Sequence, residues 1–295
     1  MRVAGLLLAA ALLAGSTPAW AARAHKKAQN ANSVKRKAKP AAVVEPPGPS
    51  AAEIETLRQA LIGPDDEDAA EAATKLGEAA SPRAAEPLLE VLAAGGRAPR
   101  VQASLDGLAK LGEAHALRSD QAVVDALLLY AGHRAPDIRR RAVKALATVS
   151  EPRVNATLLE RLGDAAPDVR AAAADALAAR GDGKAVPRLF ALVSRGDAGV
   201  APALAKLATP DIVPRVAELT GTVDDEIVAS VLGDYVKRGD VPEKLRIDVL
   251  RTIGRLSGAV ATTALADYLA SVPAKDDRPS KREAQKLLDQ RGGTP

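Results

Sequence analysis

The sequence predicts an all-α protein, a right-handed α-solenoid of stacked antiparallel helix pairs. Residues 136–146 (PDIRRRAVKAL) nearly repeat 31 positions later as residues 167–177 (PDVRAAAADAL). A second block follows each copy at the same distance: Leu158-Leu159 with Leu162, then Leu189-Phe190 with Val193. A fixed period of this length is typical of helical solenoids, in which each unit contacts only its neighbours.

Composition favours the same fold class. Hydrophobic residues make up 47% of the 295 residues, whereas aromatic residues make up 2%. The core must therefore consist of Ala, Leu and Val, and small Ala side chains let helices approach closely. A β-sandwich would use more β-branched and aromatic residues. The absence of cysteine excludes disulfides, thiolate metal sites, cysteine nucleophiles and lipidation at a cysteine.

Each repeat predicts two helices. The first carries one apolar stripe with spacings of three, four and seven: Ile138, Ala142, Ala145, Leu146 and Val149. Asp137 and Asp168 precede these stripes, and we expect each to act as an N-cap, worth about 1 kcal/mol. The second helix presents a pair of leucines, Leu158-Leu159. Neither helix can bury its stripe alone, so a neighbouring repeat must cover it.

The same unit extends along the chain from Ala51 with unequal spacing. Five related helix pairs are predicted, with a long turn at residues 115–120. The fifth pair is shortened, because Val186-Pro187-Arg188 recurs as Val213-Pro214-Arg215 only 27 residues later. Looser amphipathic helices follow at residues 223–238, 243–256 and 259–272. A polar helix capped by Ser280 is expected to end the array, with its outer face exposed to solvent.

These units resemble the HEAT repeat family, in particular its short bacterial branch, the HEAT-like or PBS-lyase-type repeats. The match rests on the Pro-Asp-Ile-Arg and Pro-Asp-Val-Arg segments, the Ala-rich helices after them and the Leu-Leu pairs. It covers roughly residues 65–272. The resemblance implies a HEAT-like superhelix, most often a binding scaffold, in which Asp137, Arg139, Asp168 and Arg170 stabilise the stacking of repeats.

The first fifty residues predict export. Arg2, an apolar run at residues 3–15 and the small-x-small sequence Ala19-Trp20-Ala21 form a signal peptide over residues 1–21. The alternative is an uncleaved N-terminal membrane anchor. Residues 22–50 indicate a basic, Pro- and Ala-rich disordered linker. It is either an electrostatic tether to an anionic envelope surface or a solvated spacer. The protein is therefore expected in the periplasm or secreted.

The positive charge belongs to this N-terminal region. Residues 22–50 contain seven Lys and Arg residues and one acid, Glu45, a net charge of +6. With Arg2 they account for more than the whole chain's net charge of +4, so residues 51–295 carry −3. A basic folded face for nucleic acid is therefore not expected.

No catalytic constellation is evident. His25, His115 and His133 do not pair with one another or with carboxylates at ligand spacing, so neither a metal nor another cofactor is expected. The acidic clusters at residues 65–68 and 224–226 are either weak calcium ligands or acids that complement helix N-termini. We prefer the second interpretation.

Arg188 and Arg215 are the candidate binding residues. They follow Val-Pro at equivalent positions of adjacent second helices, which in a superhelix line the concave face. Two such arginines form a basic ladder for an acidic peptide. The alternative is that each makes only local ion pairs.

Two functional hypotheses follow. The first is an exported, non-enzymatic scaffold that binds a protein partner on its concave face, without nucleic acid. The second is an enzyme or enzyme accessory of the HEAT-like lyase class, with a pigment or metal ligand.

Overall fold

The computed structural model describes residues 48–117 and 121–292, and within them the chain forms fifteen α-helices and no β-strand. The helices are α1 (Ala51–Ile62), α2 (Asp66–Glu78), α3 (Ala85–Ala94), α4 (Ala98–Glu113), α5 (Gln121–Ala131), α6 (Pro136–Ala147), α7 (Pro152–Arg161), α8 (Pro167–Ala179), α9 (Val186–Val193), α10 (Ala201–Leu207), α11 (Ile212–Ala217), α12 (Asp225–Lys237), α13 (Glu243–Arg255), α14 (Gly258–Ser271) and α15 (Pro279–Gln290). Short 3₁₀ turns at Pro82–Ala84, Gly183–Ala185 and Ala198–Val200 lead into later helices.

The helices stack in two rows, which confirms the predicted all-α repeat architecture. Even-numbered helices α2 to α14 pack on one another in order, and odd-numbered helices form the second row. Each odd helix also packs against the even helix that follows it. The second helix of one repeat is thus covered by the first helix of the next, as expected when neither buries its stripe alone. The looser helices α12 to α15 continue both rows.

The even row is held at close backbone distance by small residues. A β-carbon on Gly107 of α4 would lie 2.8 Å from the carbonyl oxygen of Ala73 in α2. A β-carbon on Gly77 would lie 2.9 Å from Cα of Gly107. Glycine at both positions therefore permits the contact between α2 and α4, and alanines such as Ala142 and Ala173 extend the close packing along the row.

The paired leucines of the odd row divide between two environments. The first residue of each pair is fully buried: Leu88, Leu127, Leu158 and Leu189. The second lies half-buried against the core: Leu89, Leu128, Leu159 and Phe190. Adjacent residues on a helix point about 100° apart, so only one of each pair can face the even row. The second faces the grooves between odd helices.

The predicted N-cap role of Asp137 and Asp168 is wrong. The N-caps are Ala135 and Ala166, because Pro136 and Pro167 occupy the first helical turn and place each aspartate inside the helix. Asp137 instead accepts hydrogen bonds from Arg140 at 2.5 Å and Arg141 at 2.9 Å.

The side chains that do brace these helix starts lie further upstream. Nδ1 of His133 accepts from the N–H of Ala135 at 3.0 Å, and Oδ1 of Asp164 accepts from the N–H of Ala166 at 2.9 Å. His133 and Asp164 stand 31 residues apart, at the repeat distance, and so perform the same turn-closing role in successive units.

The fifth unit is short in both of its helices. α10 has 7 residues and α11 has 6, compared with 12 in α6 and 10 in α7. The reduced 27-residue spacing is therefore accompanied by shorter helices in this unit.

At the C-terminal end, Ser280 is not an N-cap. α15 begins at Pro279 with Arg278 as its N-cap, and Ser280 is fully buried inside the first turn. Its hydroxyl lies 2.6 Å from that of Tyr268, and its N–H donates to Glu243 at 2.7 Å. Ala284 and Leu288 complete the apolar side of a helix whose remaining residues are mostly polar, which suits a terminal cap.

Candidate partner-binding surface

The solvent-facing side of the odd-numbered helices from α7 to α13, termed here the odd-row surface, carries both sequence-predicted binding residues. Arg188 lies in α9 and Arg215 in α11, and both are exposed. The structure thus places them on neighbouring helices of one row, although no contact joins the two side chains.

Each of these arginines rests on the preceding odd helix. Nη1 of Arg188 donates a hydrogen bond to the carbonyl oxygen of Leu159 in α7. The guanidinium carbon of Arg215 lies 4.3 Å from the ring centroid of Phe190 in α9, a cation–π contact. Leu159 and Phe190 occupy equivalent repeat positions, so the two arginines are held in the same way, one repeat apart.

Neither arginine forms an ion pair with the described part of the chain, although Asp211 lies near enough to Arg215 for electrostatic attraction. No carboxylate among residues 48–117 and 121–292 forms an ion pair within 4 Å of Arg188 or Arg215. By contrast, Arg153 of α7 pairs with Asp125 at 3.0 Å and Arg251 of α13 pairs with Glu283 at 2.8 Å.

Two further exposed arginines were not found from the sequence. Arg255, at the end of α13, lies on the odd-row surface, whereas Arg195, just after α9, lies at the loops beside Arg170 and Asp197. Nε of Arg255 donates only to the backbone oxygen of Arg251 at 3.3 Å. Neither follows a Val-Pro pair, so the repeat pattern offered no signal for them.

Arg139 and Arg170 lie elsewhere, at the loops that join successive repeats. Arg139 donates from Nε and Nη2 to Asp164 at 2.8 and 2.6 Å, and Arg170 donates from Nε to Asp197 at 2.6 Å. Nη1 of each also donates to two backbone carbonyls in the loop before its own helix. These side chains tie one repeat to the next.

Asp137 and Asp168 have no comparable inter-repeat role. Asp137 joins Arg141, which also pairs with Asp106 of α4, in an exposed cluster on the even row. Asp168 is exposed in the first turn of α8. The four repeat positions thus separate into two part-buried arginines that join repeats and two aspartates that do not.

The acidic clusters serve helix starts. Asp65 accepts from the N–H groups of Glu67 and Asp68 at 2.7 and 3.2 Å, and these hydrogen bonds hold its carboxyl pKa below the ordinary value. Asp224 caps α12 in the same manner. Within the described ranges, no three His, Asp or Glu side chains converge as metal ligands.

The histidines are dispersed in the structure. His115 sits in the turn after α4 with a left-handed backbone, φ 55°, and His133 closes the turn before α6. His25, the signal peptide and the linker up to residue 47 lie outside the described residues. Across residues 48–117 and 121–292, no helix combines the length and apolar character required to cross a membrane.

A groove separates α11 from α13 on the odd-row surface, with a volume of about 520 Å³. Its walls are mostly apolar and include Val213 and Ala217 of α11 and Leu245 and Val249 of α13. Leu232 of the even helix α12 lies at its floor. The groove adjoins Arg215 through α11 and thus continues the surface that carries the two unpaired arginines.

Comparison with known proteins agrees with this architecture. Residues 124–208 match the family model of HEAT repeats, which confirms the predicted resemblance in that segment. No curated protein matches the chain.

The solved structures that the chain matches include three with TM-scores below 0.5. The complex of CpcE and CpcF of phycocyanin lyase from Nostoc sp. PCC7120 is 18% identical, with 84% of this chain and 97% of that chain covered and a TM-score of 0.44. A designed armadillo repeat protein is 17% identical, with coverage of 80% and 98% and a TM-score of 0.34. An engineered protein is 17% identical, with coverage of 82% and 80% and a TM-score of 0.43.

Proposed function

We propose that this α-solenoid, whose residues 124–208 are HEAT repeats, is an exported, non-enzymatic scaffold that holds an acidic segment of a protein partner on its odd-row surface. The observation that carries the proposal is the pair Arg188 and Arg215. Both are exposed, both are braced by the preceding helix, and both lack a carboxylate partner in the described chain.

The contrast with other arginines supports a binding role. Arg139, Arg141 and Arg170 each pair with an aspartate of the same chain. Guanidinium groups form strong, directional hydrogen bonds with carboxylates. Arginines that are positioned without such a partner are therefore available for a carboxylate from outside, and their repeat spacing suits an extended segment that crosses several helices.

Charge reversal at these two positions tests the binding role. We expect Arg188→Glu/Arg215→Glu to reduce capture of the partner at least tenfold, because two attractive contacts become repulsive. The measurement is crosslinking in native envelope extract, followed by quantification of each captured protein against the wild type.

Arg134→Glu/Lys206→Glu is the matched control, since both residues are exposed, lie off the odd-row surface and change the net charge equally. This variant is expected to retain the partner. Equal capture by all three proteins would contradict the proposal. Loss of the captured material on nuclease treatment would show that the surface binds nucleic acid instead.

The proposed export rests on residues 1–21. We expect cleavage after Ala21, so protein recovered from the cell envelope should begin at Ala22 by N-terminal sequencing. Because Trp20 is the only tryptophan, the mature protein should also lack tryptophan fluorescence. A chain that retains Met1 and tryptophan emission in the membrane fraction would favour the anchor instead.

A further inference from the structure

One repeat position on the odd helices is filled by a large side chain in every unit except the fifth. Leu89, Leu128, Leu159 and Phe190 occupy it in α3, α5, α7 and α9, and all are half-buried. The Val-Pro-Arg alignment of α9 with α11 places Ala217 at the same position. In α9, Phe190 packs beneath Arg215 of the next odd helix.

The alanine leaves a space that the structure shows directly. Ala217 lines the groove of about 520 Å³ between α11 and α13. The short helix α11 also ends at Ala217, so this wall of the groove is two residues shorter than it would be with a helix of the length of α9 (6 residues compared with 8), and the buried Leu232 of the even row lies beneath it. Both the small residue and the lost length of this unit contribute to the open volume.

Charges at the rim balance one another. Glu218 and Asp248 line the groove together with Arg251 and Arg255, and Arg251 is already paired with Glu283 at 2.8 Å. The groove itself therefore selects by shape and apolar contact, while Arg215 on the adjoining helix α11 and Arg188 on α9 supply the attraction for acidic groups.

We propose that the groove between α11 and α13 is a specificity pocket that receives an apolar side chain of the partner's acidic segment; the inference rests on the proposed function. Neighbouring packed helices are about 8–10 Å apart, and an extended peptide advances about 3.3 Å per residue. Because Arg188 rests on α7 and Arg215 on α9, the segment carries carboxylates roughly three residues apart over the gaps α7/α9 and α9/α11, with the apolar residue about three positions further, over the groove between α11 and α13.

The experiment uses fluorescein-labelled nine-residue peptides and the mature chain. The probe is Ser-Glu-Ser-Ser-Glu-Ser-Ser-Leu-Ser, with its reversed sequence to allow either direction of binding, and each is compared with the peptide in which Ser replaces Leu. The wild type is expected to prefer a Leu peptide roughly tenfold by fluorescence anisotropy, since burial of one leucine side chain supports a difference of that size.

Ala217→Phe is expected to remove this preference by filling the groove as Phe190 fills the one before it. Binding of the Ser peptides should change less than about twofold. Ala266→Phe, at an exposed position of α14, is the matched control and should behave as the wild type. Circular dichroism and the thermal midpoint report folding, and Ala217→Leu serves if the phenylalanine variant is unstable.

The outcomes separate the pocket from the binding surface. If acidic peptides bind without a preference for Leu and Arg188→Glu/Arg215→Glu weakens them, the pocket is wrong and the proposed function stands. An unchanged preference in Ala217→Phe would also overturn the pocket. If no peptide binds at millimolar concentration, the pocket is again rejected, and the crosslinking experiment alone decides the proposed function.

Discussion

Asp164→Ala is expected to lower the free energy of unfolding by about 2–3 kcal/mol at pH 7, because it leaves a part-buried guanidinium without its carboxylate. The Asp164 side chain is 4% exposed and that of Arg139 is 13% exposed. The same substitution removes the acceptor for the N–H of Ala166, which starts α8. Urea unfolding followed by circular dichroism measures the loss.

The stability lost in Asp164→Ala should decrease as the pH falls. Burial acts to raise the pKa of Asp164, but the hydrogen bonds from Arg139 and Ala166 outweigh it and hold the pKa below the ordinary value of 3.8. A depressed carboxyl pKa stabilises the folded state above the ordinary pKa, and this stabilisation is lost as pH falls through the folded value. The difference between wild type and Asp164→Ala should therefore shrink below about pH 4.

Two controls distinguish burial from charge alone. Asp137→Ala removes an aspartate from an exposed cluster, where its side chain is 42% exposed, and should cost under about 1 kcal/mol. Arg139→Met/Asp164→Leu replaces both members of the pair with apolar groups and should recover much of the loss. A cost for Asp164→Ala no larger than that of Asp137→Ala would show that the pair does not join the repeats.

The repeat architecture could be predicted because its signal is distributed over many residues. The 31-residue period and the alternation of Ala-rich and Leu-rich helices do not depend on any single contact. The exact first residue of α6 and α8 was mispredicted, because it depends on a single local choice. Pro136 and Pro167 occupy the first turn, so Asp137 and Asp168 lie inside the helices and not at the N-cap. Sequence alone named the plausible capping residues but not their register.

The candidate surface was predictable in part. Arg188 and Arg215 follow from the Val-Pro-Arg repeat, and the structure places them on adjacent helices of the odd row. Their support by Leu159 and Phe190 depends on how neighbouring helices stack, which no local pattern encodes. The groove at Ala217 also depends on the shortening of α10 and α11. Its volume can be recognised only once α11, α12 and α13 are placed together in space.

The second large effect concerns the core. Leu158→Ala is expected to cost about 2–5 kcal/mol, since Leu158 is fully buried between α7 and the even row and the substitution leaves a cavity. Leu159→Ala is the matched control, with the same chemistry one residue away. Leu159 is only half-buried on the outer side of α7, so its truncation should cost about 1 kcal/mol.

The distribution of this loss tests the architecture itself. In a stack where each repeat contacts only its neighbours, destabilisation should appear first in the adjoining helices. Hydrogen exchange of Leu158→Ala should therefore show faster exchange in α5 to α9, while α13 to α15 keep the protection of the wild type. Uniform loss across all helices would mean that the solenoid unfolds as one cooperative unit, and the two-row nearest-neighbour description of its stability would fail.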